Sequence, residues 1–244
     1  VNTAVTEPDG TTTKINEPGA ELGEAERTAI EKALLAAVEA GGRTGEGDSA
    51  GWAILSGSLP PGAPTDWYAR LVALLRPTGA SIAVDTSDAP LAALAAALPD
   101  AAPDLIKPNG EELGQLVGLP ADRAMALEEG AMSGDLAPVA DAARILVDLG
   151  LGAVMATLGP AGAVLVTGEG AWHATAPEVP VLSTVGAGDS SVAGYVLADV
   201  RGGDEVERLR TAMAYGSAAA SLPGTTLPAP GDLPAQDVVV TRLA

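Results

Sequence analysis

The chain has 244 residues, 47% of them hydrophobic, which is enough to bury a substantial core and makes one large α/β domain the natural prior. A net charge of −19 excludes the basic face that nucleic acid or an anionic membrane would need, and the lack of cysteine excludes disulfides and thiolate sites. With no Phe, three Trp and three Tyr, aliphatic side chains must build the core and no stacking platform for bases is expected. No apolar run approaches the ~18 residues of a membrane span and no signal-peptide pattern is visible, so the expected location is the cytoplasm.

In chain order, residues 1–19 alternate around Pro8-Asp9-Gly10 and predict a β-hairpin turning at Pro8–Gly10. "GEAERTAIEKALLAAVEAGG" predicts a helix stopped by Gly41-Gly42. "WAILSGSLPPG" is a short apolar run breaking into small residues, as a buried strand does at its loop. "TDWYARLVALLRPTG" predicts a helix with Thr65 as N-cap and a Pro-Thr-Gly stop. The alternation repeats through "SIAVD" (strand), "APLAALAAAL" (helix), "DLIK" (strand) and "GEELGQLVG" (helix). It continues through "APVADAARILVDLG" (helix) and "AVMATL" (strand). A hairpin follows with its turn near Gly168–Gly170, then helices over 189–200 and near 204–221. Such alternation predicts a mostly parallel sheet covered on both faces, with the first hairpin as a separate small β element.

Ligands of open α/β sheets gather at the carboxyl ends of strands. There the chain places Ser56-Gly57-Ser58, Asp85-Thr86-Ser87, Lys107-Pro108-Asn109 with Glu112 one turn on, and Thr157-Leu158-Gly159. Gly186-Ala187-Gly188-Asp189 precedes the late helix. Two readings of that stretch stand. It is a tight turn with Asp189 as N-cap, or an anion-binding loop with a base at its end. In the second, helix N-terminal amides meet a phosphate across small residues and Asp189 takes a proton. It lacks the Gly-Lys-Ser/Thr end of a P-loop. Lys107 and Asn109 can reach phosphate oxygens or order water around a cation, or Asn109 caps a helix and Glu112 is solvated. Gly159 and Gly162 fit a tight turn, or a backbone lying close to a nucleotide. His173, the one histidine, has no metal-ligand partners in the sequence and reads as structural. Asp85 and Asp88 could form a metal pair or line a cleft.

Together "TTTKINEPG", "SGSLPPG", "KPNGEEL", "TLGPAG" and "STVGAGDSS" resemble, in order and spacing, the phosphofructokinase B family of ribokinase-like sugar kinases. The resemblance covers nearly the whole chain. It implies a ribokinase-like three-layer α/β sandwich (residues 19–244) with a small β lid (residues 1–18). It also implies ATP-dependent phosphorylation of a sugar phosphate, fructose 1-phosphate to fructose 1,6-bisphosphate. 6-Phosphofructokinase or tagatose-6-phosphate kinase activity, or an inactive nucleotide-binding remnant, is the alternative.

By the same resemblance Asp189 is the base and Gly186, Ala187 and Gly188 the anion hole. Lys107, Asn109, Thr157, Gly159, Gly162 and Ser217 serve the nucleotide. Lys14 and Ser58 serve the sugar phosphate, and Glu112 organises Mg²⁺ through water. A K⁺ site near Ser183, Val185 and Gly224 and a homodimer through the lid are further implications. The family's first strand with its aspartate and its Gly-Gly-Lys-Gly-x-Asn motif do not occur in these 244 residues. The expectation is thus the family domain without its N-terminal strands and substrate half-site, and with an uncovered sheet edge.

Overall fold

A computed structural model describes residues 2–6, 12–16, 19–41, 51–236 and 238–243. The elements are β1 (Asn2–Thr6), β2 (Thr12–Asn16), α1 (Glu24–Gly41), β3 (Trp52–Ser56), α2 (Trp67–Leu75), β4 (Ser81–Asp85) and α3 (Asp88–Ala96). They continue with β5 (Leu105–Ile106), α4 (Gly110–Leu116), α5 (Ala121–Met132), α6 (Ala137–Asp148), β6 (Ala153–Thr157) and β7 (Ala163–Thr167). β8 (Gly170–Ala174), α7 (Ala187–Val200), α8 (Glu205–Ala220) and β9 (Val240–Arg242) complete the chain.

Seven strands form a mixed sheet in the order β3-β4-β5-β6-β7-β8-β9, while β1 and β2 pair separately. β3 with β4, β4 with β5 and β5 with β6 pair in parallel, and β9 runs antiparallel to β8. This is the α/β architecture that the alternation predicts. The chain divides into two compact units, Glu21–Leu158 with Val164–Ala171, and Val1–Ala20 with Gly159–Ala163 and Trp172–Ala244.

In the larger unit the core follows from continuous apolar strands. Val154, Met155 and Ala156 of β6 and Val164, Leu165 and Val166 of β7 are all buried, as interior strands require. α2 buries Trp67, Leu71, Val72 and Leu75 along one face. It starts later than the sequence reading has it. The Trp67 amide donates to the Pro64 carbonyl at 2.9 Å, and Asp66, not Thr65, takes the cap position. The Asp66 carboxylate gives no cap bond and pairs instead with Arg70 at 2.9 Å. The Pro-Thr-Gly stop forms as expected, with Gly79 at φ 76°. α1 is different in kind. None of its residues is buried. Its anchors are polar: Arg27 Nη1 donates to the Leu22 and Gly62 carbonyls at 2.9 and 2.6 Å, and Trp67 Nε1 donates to Glu31 at 2.8 Å.

Two elements escape the sequence reading. α5 buries only Ala124, Leu127 and Ala131, too thin an apolar stripe to stand out in "ADRAMALEEGAM". It packs on Gly114 of α4, where a Cβ would come within 2.6 Å of the Ala124 Cα. β9 has three residues and exists through its pairing with β8.

In the smaller unit β1 and β2 pair antiparallel, with Lys14 opposite Ala4. The predicted turn at Pro8–Gly10 lies outside the described residues. α7 and α8 pack through small residues. A Cβ on Gly194 would meet the Thr211 carbonyl at 2.6 Å, and one on Gly216 would strike Ser191 Oγ and crowd the Ala187 carbonyl. Among the described residues no helix is long and apolar enough to cross a membrane.

Candidate active site

In the larger unit the strand ends form a bonded set. β3 runs into Gly57, whose φ of 100° suits a residue without a side chain. The Gly57 amide donates to the Asp85 carbonyl at 2.9 Å. Its own carbonyl accepts from Tyr68 Oη at 2.8 Å and Thr86 Oγ1 at 3.0 Å. This fixes the turn that carries the exposed Ser58. Burial is the first cause that raises the Tyr68 phenol above its ordinary value, so it stays a donor at neutral pH.

One strand over, Asp85 ends β4, and its Oδ1 lies 3.2 Å from the buried Nζ of Lys107, which follows β5. From sequence, Lys107 reaches phosphate oxygens or orders water around a cation. The structure gives it a carboxylate partner, and a buried ammonium needs one. Asp85, read from sequence as part of a metal pair or as cleft lining, is that partner.

Asn109 and Glu112 form a reciprocal cap on α4. Asn109 Oδ1 accepts from the Glu112 amide at 2.7 Å, and Glu112 Oε2 accepts from the Asn109 amide at 2.8 Å. The cap reading of Asn109 is therefore correct, while Glu112 is turned back to the helix start and half-buried, not solvated. Burial, opposed by the Asn109 bond and Lys107 and aided by Asp85 and Asp88, raises its carboxyl above the ordinary range. Thr157 joins this set. Its amide donates to the Pro108 carbonyl at 2.9 Å, and it bridges to Asn109. The larger unit thus brings Asp85, Lys107, Asn109, Glu112 and Thr157 together.

In the smaller unit the late helix begins inside the glycine motif. Gly186, at φ 80°, is the N-cap, and Ala187, Gly188 and Asp189 form the first turn of α7. Asp189 is therefore not the cap, and the helix starts two residues earlier than 189. The exposed Asp189 carboxylate sits at the positive end of the helix dipole. Ser191 Oγ donates to the Ala187 carbonyl at 3.0 Å, so the first turn is tied to the helix body that Gly216 abuts.

The Gly159–Ala161 turn is closed by the Gly162 amide donating to the Gly159 carbonyl at 3.0 Å. Gly162, at φ 92°, lies so close to the Ala174 carbonyl that no Cβ fits. His173 Nε2 lies 2.7 Å from the Ala161 carbonyl. Ser217 is buried in α8. Ser183 is buried and its Oγ accepts from the Val185 amide at 3.2 Å, and Gly224 has φ 61°. Among the described residues no three His, Cys, Asp or Glu side chains form a metal cage.

The chain belongs to the pfkB family of carbohydrate kinases, which residues 19–232 match. It is similar to the 1-phosphofructokinase of Rhodobacter capsulatus, 39% identical over 229 residues, covering 94% of this chain and 65% of that protein. It is also similar to the 1-phosphofructokinase of Xanthomonas campestris, 37% identical, covering 82% of this chain and 58% of that protein. The chain therefore spans less than two thirds of the length of these curated relatives. Among solved structures, Escherichia coli phosphofructokinase-2 in complex with substrates and products superposes at a TM-score of 0.75 with 31% identity, over 95% of this chain and 67% of that one. The same Escherichia coli protein is also known in complex with potassium and in a tetrameric inhibited form.

Proposed function

We propose that the protein phosphorylates fructose 1-phosphate to fructose 1,6-bisphosphate with ATP. The observation that carries the reading is the start of α7, where a left-handed Gly186 opens a helix whose first turn presents small residues and then Asp189. The sugar hydroxyl oxygen attacks the γ-phosphorus, the bond from that phosphorus to the ADP oxygen breaks, and Asp189 takes the hydroxyl proton. Amides of the first turn of α7 stabilise the charge on the transferring group. Lys107, held by Asp85, faces the phosphates of the nucleotide, and Asn109 and Thr157 shape the adjoining edge. The Gly159–Gly162 turn and Ser217 serve the nucleoside. Ser58 and Lys14 serve the sugar phosphate.

Mg²⁺ fits this donor set in one way. Of the two carboxylates in this set, Asp85 is paired with Lys107 and Glu112 already accepts a backbone bond, so the ion would be carried by the nucleotide phosphates and reached from Glu112 through water. When bound it neutralises phosphate charge. K⁺ near Ser183, Val185 and Gly224 and a homodimer through the β1–β2 hairpin belong to the same proposal. So does a division into a lid over 1–18 and a kinase domain over 19–244, acting in the cytoplasm.

The choice of fructose 1-phosphate follows the two curated relatives. The Escherichia coli phosphofructokinase-2 likeness supports a second reading, fructose 6-phosphate. Assaying ADP release with fructose 1-phosphate, fructose 6-phosphate and tagatose 6-phosphate separates them. Asp189→Asn should lower kcat by roughly 10²- to 10⁴-fold and leave the Kd for ATP unchanged. Wild-type turnover by this variant would remove Asp189 from the reaction.

A further inference from the structure

The turn Gly159-Pro160-Ala161-Gly162 has no polar side chain with which to anchor itself. Its place must be set from outside. Two neighbouring residues of β8 do this. Ala174 presents its carbonyl to Gly162, leaving no space for a Cβ, and the half-buried His173 places Nε2 2.7 Å from the Ala161 carbonyl. A carbonyl only accepts, so Nε2 carries the hydrogen and donates. This is the chain's one histidine.

We propose that His173 is a positioning residue for the Gly159–Gly162 turn and, through the Ala161 carbonyl, sets the affinity for adenine nucleotide. The inference rests on the nucleotide role given to that turn above. Glycines at φ 54° and 92° give the turn a backbone that can lie close to a ligand, but they also give it freedom to move. A donor from a strand interior removes that freedom. His173 touches neither the transferring phosphoryl group nor the base, so its effect belongs in nucleotide affinity and not in the rate of transfer. What matters is a donor of the right reach. Glutamine supplies one. Methionine fills similar volume without one.

The test compares H173A, H173M and H173Q in the full chain. In H173A and H173M, both the KM and the directly measured Kd for ATP should rise about three- to tenfold, the effect of losing one such bond. kcat and the sugar-phosphate KM should stay within about twofold of wild type. H173Q should return ATP affinity to near the wild-type value. Hydrogen–deuterium exchange of the peptide spanning residues 159–162 should quicken in H173A and H173M and not in H173Q. Unchanged ATP affinity in H173M would overturn the proposal, as would H173Q behaving like H173M. Equal losses in kcat and both KM values would assign His173 to general packing instead. If wild type binds no ATP, the nucleotide reading fails, and the exchange comparison still decides whether His173 sets the turn. H173M and H173Q carry the test alone if H173A does not fold.

Discussion

Glu112 shows how one carboxylate is placed for two tasks. It closes the cap of α4 by accepting from Asn109, and burial lifts its carboxyl above the ordinary range. A raised carboxyl favours the proton-bound form in the folded state. That contribution is complete below the unfolded-state value and is lost as pH rises through the raised one. Glu112→Gln keeps an acceptor for the Asn109 amide and removes the half-buried charge. Thermal midpoints measured across pH should therefore show the variant gaining on wild type from the acid side toward neutral. Its activity should need more Mg²⁺. A variant much less stable than wild type at neutral pH would refute the burial argument. Lys14 makes a second test on the sugar side. Lys14→Ala should raise the KM for the sugar phosphate more than that for ATP, and an effect on ATP alone would count against its assignment. The Asn109 cap was legible in the sequence because its partner, the Glu112 amide, lies three residues on. The sequence left Asp85–Lys107 and His173–Ala161 hidden, since those pairs form only when distant strands come into register.

At the scale of elements, Gly194 and Gly216 let α7 and α8 approach closely. Gly216 sits against Ser191 Oγ and the Ala187 carbonyl, so a side chain there pushes directly on the first turn that carries Asp189. Gly216→Val should cost about 1–3 kcal/mol through overpacking and should lower kcat as well. Gly168→Ala, where an added Cβ meets nothing within 4 Å, is the matched control and should be silent in both measures. A Gly216 variant of wild-type midpoint and kcat would mean that the helices slide apart at no cost. Helices and strands of strong period were readable from the sequence, as in α2, α6 and β6. α5 was not, because three small or medium side chains bury its face, and neither was β9, because three residues carry no period.

For the whole molecule, an excess of acidic groups sets the conditions under which the fold is stable. Thirty-two Asp and Glu stand against thirteen Lys and Arg. Like charges repel more in the compact state than in the expanded one, and salt screens them over a Debye length of about 10 Å at 0.1 M. The thermal midpoint should therefore rise by several degrees as NaCl is raised from roughly 20 to 300 mM, and a flat response would show that local pairs dominate. The division into two units was not legible in the sequence. It depends on which distant segments meet, and Gly159–Ala163 groups with the C-terminal helices although it follows β6 directly.

Helix α1 contributes polar tethers and no buried side chain, so the protein can lose it without first opening a core. Protease sensitivity follows from that. Trypsin needs an unwound stretch around a basic residue, and α1 holds Arg27 and Lys32. Under limited digestion the first cut among the described residues should fall at Lys32. Arg144, on α6, which buries Val139, Ala143 and Leu146, should stay uncut until the molecule unfolds as a whole.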